Sequence, residues 1–303
     1  AAGLLLIAPL PVRLRLVASL FALPALLWPQ AWPNVGEFEL QAVDIGQGNA
    51  VIVSTARHRL LYDAGPQYSR QSDAGERVIV PLLAAQGMRL DVMMLSHRDS
   101  DHTGGAMAVK AAQPQVQIWG SDSVINDPLL AALAPVQRCT QGQHWQWDGV
   151  TFEVLHPPEG DAWLNGRKPQ PNFGSCVLRI RSASGRVALL AGDIEAAQAQ
   201  LLLQTRVMDP VDWLLVPRHG SKTSSTEAWV KALRPHWGVV QAGYLNRFGH
   251  PVPAVVDRYK AAGSQLVLQD RCGAALWQSD RPADLQCERQ VRAHYWDVHY
   301  PPP

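Results

Sequence analysis

Two imidazoles and two carboxylates fall within six consecutive residues, His97-Arg98-Asp99-Ser100-Asp101-His102. The segment follows the apolar run 91–96 (DVMMLS), which is typical of a buried strand, and precedes Gly104-Gly105, which indicates a tight turn into a helix. Four such groups this close would repel one another or stay unpaired in a buried loop, unless cations joined them. The segment therefore predicts a site for one or two divalent metal ions. The alternative, a solvated polar turn, is disfavoured by the flanking strand and glycines.

The composition outside this segment limits the possible functions. The chain has 303 residues, 47% of them hydrophobic, which is enough for one large domain or two modest ones with a buried core. Its formal net charge is only +1, from 27 Lys and Arg against 26 Asp and Glu. No general basic field therefore indicates a nucleic-acid partner, and any contact with DNA must be local.

The cysteine count leaves two alternatives open. Four cysteines without a C-x-x-C pair permit two disulfides in an oxidising compartment, whereas buried free thiols are the other interpretation. Cys272 and Cys287 flank what looks like a terminal pair of strands. If the domain is extracytoplasmic, we expect this pair to be bridged in preference to Cys139 and Cys176.

The first 28 residues differ in composition from the rest of the chain. Two apolar runs, 4–12 and 16–28, are separated by a short stretch that contains arginines, and neither run reaches the ~20 residues that span a bilayer. The order of charged and apolar residues does not suit a signal peptide. We therefore predict that residues 1–33 are the end of a membrane-embedded region, transmembrane or interfacial, and that residues 34–303 form one domain.

Strand-like runs open this domain, and strand-like and helix-like segments alternate after them in both halves. This order predicts an α/β fold of two packed sheets with helices outside. The pattern predicts strands at 38–43, 50–54, 59–62, 91–96, 116–119, 176–181, 186–190, 212–216 and 237–241, and helices at 77–86, 104–112, 128–133, 194–204 and 226–233.

The metal-binding segment resembles the His-x-His-x-Asp-His signature of the metallo-β-lactamase superfamily, with Asp99 at the position of the second His. The variant His-x-Asp-x-Asp-His is similar to the C-terminal domain of the ComEC competence (DNA internalisation) family. Other segments that fit this family are 43–50 (VDIGQGNA), 61–65 (LYDAG), 191–195 (AGDIE), 216–221 (VPRHGS) and 247–251 (RFGHP). The resemblance implies a metallo-β-lactamase-like αββα four-layer sandwich, preceded by a hydrophobic N-terminal segment.

The resemblance also implies a set of six metal ligands. They are His97 and Asp99 for one ion, Asp101, His102 and His219 for the other, and Asp193 as the carboxylate that bridges both ions. Asp193 follows a strand and Gly192, and a sharp turn there would direct a carboxylate outward from the end of a sheet. A helix N-cap is the alternative role for Asp193, and the two roles can coexist.

Four residues are expected to support the metal ligands. Asp63 matches the superfamily's first motif, in which the Asp usually holds the metal loop, although an ordinary turn Asp is the alternative. Asp44 matches a motif of the ComEC family, and we expect it to shape the loop. The third motif lacks its usual His, so Asn172 or Ser175 must replace it. One metal ion is therefore expected to bind weakly.

Further basic residues are candidates for contact with a substrate. His250, between Gly249 and Pro251, is a candidate metal ligand or general acid, with a histidine at a helix start as the alternative. Arg218 stands where the family often has the first of two histidines, which removes a proton donor or supplies a fixed positive charge. Arg218, Lys222 and Arg247 are candidate phosphate-binding residues, and surface charge is the other interpretation.

These residues lead to a functional hypothesis. A water molecule between two metal ions becomes acidic enough to attack a phosphate ester. Oxygen donors favour Mn²⁺, while Zn²⁺ or Mg²⁺ remain possible. The resemblance implies a nuclease domain of a DNA-uptake channel in the inner membrane, on the periplasmic side. Asp101 and His250 would be catalytic. Its expected partners are single-stranded DNA, the membrane-embedded remainder of the same polypeptide and other DNA-uptake proteins.

Two alternatives from other functional classes stay open. The fold could serve as a catalytically degenerate module that binds DNA or gates a channel. It could also be a small-molecule hydrolase of the same superfamily, such as a phosphorylcholine-type esterase or a lactonase. Bound metal with cleavage of DNA would favour the nuclease, and single-strand binding without metal would favour the module.

Overall fold

The computed structural model describes residues 11–13, 17, 20, 32–160, 170–204 and 208–293. The chain divides into two compact units, Ala1–Trp32 and Pro33–Pro303. Within the described residues, no helix combines the length and apolar character needed to cross a membrane. Most of the predicted hydrophobic segment 1–33 lies outside the described residues, so its assignment to a membrane-embedded region stays a prediction.

The larger unit consists of short strands and helices. Its strands are β1 (Glu39–Ala42), β2 (Val51–Ser54), β3 (Arg59–Tyr62), β4 (Gln67–Ser69), β5 (Ser72–Asp73), β6 (Val92–Leu95), β7 (Gln117–Gly120), β8 (Val136–Arg138), β9 (His144–Trp147), β10 (Val150–His156), β11 (Val177–Arg181), β12 (Val187–Leu190), β13 (Trp213–Leu215), β14 (Trp237–Val240), β15 (Gln265–Leu268), β16 (Ala275–Gln278) and β17 (Leu285–Cys287). Its α-helices are α1 (Val80–Ala85), α2 (Ser100–Thr103), α3 (Ala106–Ala112), α4 (Asp122–Ile125), α5 (Ala196–Gln204), α6 (Glu227–Leu233), α7 (Pro253–Ala261), α8 (Gln269–Cys272) and α9 (Glu288–Val291).

Two large mixed sheets contain most of these strands. The first has the order β17-β16-β1-β2-β3-β6-β7-β8, and the second has the order β15-β14-β13-β12-β11-β10-β9. In the first sheet β3, β6, β7 and β8 run parallel, and in the second sheet β12 to β15 run parallel. Strands β4 and β5 form a separate hairpin.

Side chains alternate between two buried layers along the central strands. In β3, Leu60 and Tyr62 pack into the core between the two sheets, whereas Leu61 packs against the helices outside the first sheet. In β13, Leu215 faces the same central core and Leu214 packs against the helices outside the second sheet. Because both faces of these strands are buried, the layers follow the order helices, sheet, sheet, helices. The predicted α/β class is confirmed.

The structure differs from the sequence prediction mainly at helix starts and in the last fifty residues. The helix predicted over 77–86 begins at Gly75 as a π-helical turn that continues into α1, and residues 128–133 form a 3₁₀-helix. The sequence analysis did not predict helix α7. This helix begins at Pro253, and proline is well tolerated there because the first N–H of a helix makes no hydrogen bond within the helix.

Both cysteine pairs are bridged in the structure. Cys139, which follows β8, is bonded to Cys176, which precedes β11, so this disulfide joins the two sheets. Cys272 is bonded to Cys287 near the terminal strand pair β16 and β17. The expected bridge between Cys272 and Cys287 is confirmed, the first pair is bridged as well, and free thiols are absent from the described residues.

Candidate metal centre

The carboxyl ends of parallel strands in both sheets meet at one place. Asp63 follows β3 and His97 follows β6, which are neighbours in the first sheet. Asp193 follows β12, and His219 lies in the 3₁₀-helix after β13, which are neighbours in the second sheet. Because parallel neighbours end at the same edge, four segments that are distant in sequence bring their polar side chains together.

These side chains form two overlapping groups that could each hold a metal ion. His97, His102 and Asp193 form one group, and Asp101, His102 and His219 form the other, with ligand atoms within 4.8 Å of one another. The Nε2 atom of His102 lies 3.2 Å from Oδ1 of Asp193. The Nε2 atom of His219 lies 3.2 Å from Oδ2 of Asp101 and 3.7 Å from Oδ1 of Asp193. Five side chains therefore converge on one small volume.

The inward-facing atoms of this cluster have no hydrogen-bond partner. This holds for Nε2 of His97, His102 and His219 and for Oδ1 of Asp193, all of them buried. The other ring nitrogen, Nδ1, of two of these histidines contacts a protein oxygen. Nδ1 of His97 lies 3.0 Å from Ser96 Oγ, and Nδ1 of His219 lies 2.8 Å from the Gln241 carbonyl oxygen. When Nδ1 of His219 donates to this carbonyl, Nε2 is free to bind metal. Unpaired buried polar atoms are costly, so the residues fit a bound divalent cation.

The charges of the cluster also favour cations. Burial alone would raise the pKa of Asp101 and Asp193, but the nearby histidines outweigh it and hold both pKa values below their ordinary range. Burial would lower the pKa of His102 and His219, but Asp193 and the other carboxylates outweigh it and raise both. The carboxylates therefore favour protons on these imidazoles. A divalent cation competes for the same nitrogens, so binding it releases protons.

Asp63 fixes the two ends of the metal loop, residues 96–102, through its contacts with Ser96 and His102. It is fully buried and has a positive φ of 58°, a conformation that turns its side chain out of the strand direction. Its carboxylate accepts hydrogen bonds from Ser96 N at 2.7 Å and from Ser96 Oγ at 2.9 Å, and lies 2.7 Å from His102 Nδ1. These contacts direct Nε2 of His102 toward the cluster, which is the geometry expected of a supporting carboxylate.

The group of Asp101, His102 and His219 is the set predicted for one ion, whereas the other group contains His102 in place of Asp99. His102 belongs to both groups, because the short helix α2 brings its ring to 4.1 Å from the ring of His97. Asp99 belongs to neither: its side chain is 43% exposed, and its Oδ2 lies 3.4 Å from Nε2 of His97. The Asp99 carboxylate therefore lies at the solvent-exposed side of the cluster, next to His97.

Of the three other predicted supporting residues, one contacts a ligand directly. Ser175 is buried, and its Oγ accepts from the Asp193 backbone N–H at 3.3 Å. Asn172 lies in a 3₁₀-helix and accepts from Ser175 N through its carbonyl, outside both ligand groups. Asp44 instead pairs with Arg289 at 2.7 Å. The expected loop-shaping role of Asp44 stays a prediction: Gln269 Nε2 donates to Asp44 Oδ1 at 3.1 Å and to Gly46 O at 3.0 Å, in the same loop.

The three predicted phosphate-binding residues have different environments. Arg218 forms an ion pair with Glu195 and donates to Thr223 Oγ1 at 3.0 Å, so its charge is already neutralised. Phosphate binding by Arg218 therefore stays a prediction, and a phosphate would share the guanidinium with Glu195. Lys222 is exposed, and the Arg247 guanidinium lies 4.8 Å from the centre of the Phe248 ring. In the described part of the chain, neither Lys222 nor Arg247 belongs to an ion pair.

His250 lies beside the metal cluster. Its ring is nearly parallel to that of His219, with 6.4 Å between centroids and 18° between planes. Its Nδ1 is buried without a hydrogen-bond partner. Burial, His219 and Arg218 lower the pKa of His250, and the imidazole is therefore mainly neutral near pH 7. The structure thus brings His250 to the site without making it a member of either ligand group.

Two further residues shape the site and were not identified from the sequence. Gln241 is fully buried; its carbonyl faces His219, and its side-chain amide donates to Val43 O at 2.9 Å. A Cβ atom on Gly48 would lie 2.2 Å from the Asp101 carbonyl oxygen, so only glycine fits there. The glycines of segment 43–50 could have indicated that its backbone approaches another backbone closely. Nothing in the local sequence indicates the role of Gln241.

Comparisons with known proteins agree with this geometry. The Metallo-beta-lactamase superfamily matches residues 43–243. "Competence protein ComA" of Neisseria gonorrhoeae is 34% identical over 298 residues, which are 97% of this chain and 40% of that protein. "Recombination protein 2" of Haemophilus influenzae is 32% identical over 230 residues, which are 74% of this chain and 27% of that protein. The chain spans less than half the length of these relatives.

A solved structure shares the fold. The metallo-beta-lactamase fold protein YhfI from Bacillus subtilis superposes with a TM-score of 0.53 at 13% identity, covering 80% of this chain and 99% of that protein. At this identity the likeness concerns the fold alone. It agrees with the two packed sheets and their outer helices.

Proposed function

Because the chain belongs to the Metallo-beta-lactamase superfamily, we propose that it is a metal-dependent phosphodiesterase that cleaves single-stranded DNA during DNA uptake. Family membership supports a hydrolase that uses divalent metal. The observation that carries the proposal is the set of buried, inward-facing atoms without hydrogen-bond partners, contributed by His97, His102, Asp193 and His219. A bound cation would satisfy all of them together.

Each side chain has a definite role in this proposal. Divalent ions bound at the cluster would acidify a water molecule and polarise a phosphoryl oxygen. Asp101 and Asp193 stay ionised because their pKa values are lowered, and we assign Asp101 to orienting the attacking water. We assign His250 to proton transfer: its mainly neutral imidazole can accept the proton of the attacking water and pass it to the leaving oxygen.

The donor set favours Mn²⁺ over Zn²⁺ in this proposal. The carboxylate of Asp99 lies beside His97 where the superfamily signature has an imidazole, and Ser175 takes the place of a third-motif His. Oxygen donors suit harder ions, and harder ions suit phosphate esters. We therefore expect two ions, with Mn²⁺ bound in preference to Zn²⁺ or Mg²⁺.

The biological setting of the proposal comes from the relatives. Two proteins with extensive similarity carry the names of competence and recombination proteins. We propose that this domain belongs to an inner-membrane DNA-uptake protein and works on the periplasmic side, with the membrane-embedded remainder of the same polypeptide and other DNA-uptake proteins as partners. One strand of the incoming DNA would be degraded there.

Metal-dependent cleavage tests the proposal. The purified chain is stripped with a chelator, supplied with Mn²⁺ or Zn²⁺, and incubated with a labelled single-stranded oligonucleotide. We expect cleavage with Mn²⁺, weak or no cleavage with Zn²⁺, and a shift of preference toward Zn²⁺ in Asp99→His. Asp193→Asn should abolish metal binding and cleavage together. A chain that purifies with two stoichiometric zinc ions and cleaves without added metal would contradict the argument from donor hardness.

The arginine at position 218 favours a second candidate function. Arg218 stands where the family often has a histidine and is paired with Glu195, so the site lacks one possible proton donor, which suits a module that binds DNA without cleaving it. In that case the chain binds single-stranded DNA in a salt-sensitive manner but takes up no metal and releases no product. The same cleavage experiment, combined with metal analysis, separates the two candidates.

A further inference from the structure

A short loop beside the metal cluster exposes large apolar side chains. In the segment 243–250, the exposed fractions are 58% for Tyr244, 83% for Leu245 and 50% for Phe248. Single exposed apolar residues are common on proteins, but three within five positions beside a candidate active site indicate a contact surface. We define the loop platform as residues 243–250.

The loop platform is held in place by its own hydrogen bonds. The Asn246 side chain donates to the carbonyls of Gly243 and His250 at 3.0 and 2.7 Å and accepts from His250 N at 3.0 Å. Gly243 N donates to Gln47 Oε1 at 3.1 Å, which ties the platform to the neighbouring loop. The apolar side chains are therefore presented by a preorganised segment, which lowers the entropy lost when a ligand binds.

Flat groups form a row that leads outward from the metal cluster. The His250 ring is nearly parallel to that of His219, and the Phe248 ring lies 5.6 Å from that of His250, with 20° between planes. The Arg247 guanidinium covers part of the Phe248 ring. Half of the Phe248 surface remains open to solvent. Aromatic and guanidinium planes are the groups on which unpaired nucleobases stack.

We propose that the loop platform binds a nucleobase of a single-stranded nucleic acid, by stacking on Phe248 and Arg247, while the adjoining phosphate reaches the metal cluster. This inference rests on the proposed phosphodiesterase function and specifies its substrate class. A base inside a duplex is already stacked on both faces, so the platform selects single strands. Arg247 has no ion pair in the described part of the chain, so its charge is available for the substrate backbone.

Binding to matched strands tests this inference without relying on activity. One strand is a phosphorothioate dT12, whose backbone resists hydrolysis, and the other has the same backbone and length but abasic sites throughout. Fluorescence anisotropy of the full chain with Mn²⁺ gives Kd for both strands. Phe248→Ala should weaken dT12 binding about 5-fold to 150-fold, as expected for one lost stacking contact, and should leave binding of the abasic strand unchanged.

Two further variants of Phe248 separate stacking from simple packing. Phe248→Trp keeps an aromatic plane and should retain the affinity for dT12, whereas Phe248→Leu keeps apolar volume only and should lose affinity as Phe248→Ala does. Leu129→Ala, at a strongly exposed apolar residue outside the loop platform, is the matched control and should change nothing.

The other outcomes overturn the inference. Equal affinity of the wild-type chain and Phe248→Ala for dT12 would exclude stacking at this position, as would full affinity in Phe248→Leu. Equal losses on dT12 and the abasic strand would indicate a backbone contact or a folding defect. Failure of the proposed function is seen separately, as the absence of cleavage of unmodified single-stranded DNA by the wild-type chain.

Discussion

Replacing Asp63 with Asn should weaken metal binding although Asp63 is not itself a ligand. An asparagine keeps the shape of the side chain, and its carbonyl oxygen can still accept from Ser96 N. Its NH₂ group would then face Nδ1 of His102, which lies 2.7 Å from the carboxylate in the native chain. To accept this hydrogen bond, the His102 ring must place its proton on Nε2, and a protonated Nε2 cannot bind a metal ion.

The structure gives the size of this effect. A supporting carboxylate of this kind changes metal affinity about 10-fold to 100-fold, which corresponds to about 1.4 to 2.7 kcal/mol. Asp63→Asn also removes a charged hydrogen-bond acceptor from a fully buried position, so we expect the metal-free protein to lose about 1.5 to 3 kcal/mol of unfolding free energy. The two losses are measured independently, by Mn²⁺ titration against a competing chelator and by urea unfolding in EDTA.

Asp148→Asn is the matched control for Asp63→Asn. The Asp148 carboxylate is also covered, and accepts from Thr55 Oγ1 and Arg57 N, both at 2.7 Å, but it lies outside the metal cluster. We expect Asp148→Asn to lower stability without changing Mn²⁺ affinity. Wild-type Mn²⁺ affinity in Asp63→Asn, or an equal loss of affinity in Asp148→Asn, would refute the argument that Asp63 acts through the tautomer of His102.

Three further predictions concern stability and the shape of the site. Cys176→Ser and Cys287→Ser open disulfides between residues 37 and 15 apart, which should cost about 4 and about 3 kcal/mol in urea unfolding. Only Cys176→Ser should also weaken Mn²⁺ binding, because the disulfide with Cys139 anchors Cys176, whose backbone N–H donates to Ser96 O beside the metal ligands. Burial lowers the pKa of His156 from 6.5 to about 4 in the folded chain. As the pH falls, His156 is therefore protonated in the unfolded chain before it is protonated in the folded chain. The contribution of His156 to the free energy of unfolding is complete above about pH 6.5 and falls toward pH 4. The loss between pH 7.5 and pH 4.5 is about 2.5 kcal/mol. His156→Gln should remove this part of the pH dependence. Gly48→Ala should displace the Asp101 carbonyl and lower Mn²⁺ affinity, and a variant with native affinity and stability would contradict the 2.2 Å approach.

The local sequence was enough to predict a metal ligand set and the α/β class of the fold. His97, Asp101 and His102 lie within six residues after an apolar strand, so their spacing alone indicated a metal ligand set. Alternating strand-like and helix-like segments indicated the α/β class because local periodicity reports which side chains are buried. Motif spacing and hydrophobic periodicity depend only on residues that are close in sequence. They can therefore be recognised in a single sequence, without knowing which residues are in contact in the fold.

The groups that share the site from distant parts of the chain became visible only in the folded structure. The contacts of Asp63 with His102, and of Gln241 with His219, join segments from different strands, and no local pattern specifies them. The ion pair of Arg218 with Glu195 likewise joins segments that are distant in sequence. The physical reason is that parallel strands from two sheets end at one edge, so the partner of each side chain is set by strand order and by the packing of the sheets rather than by its neighbours in sequence.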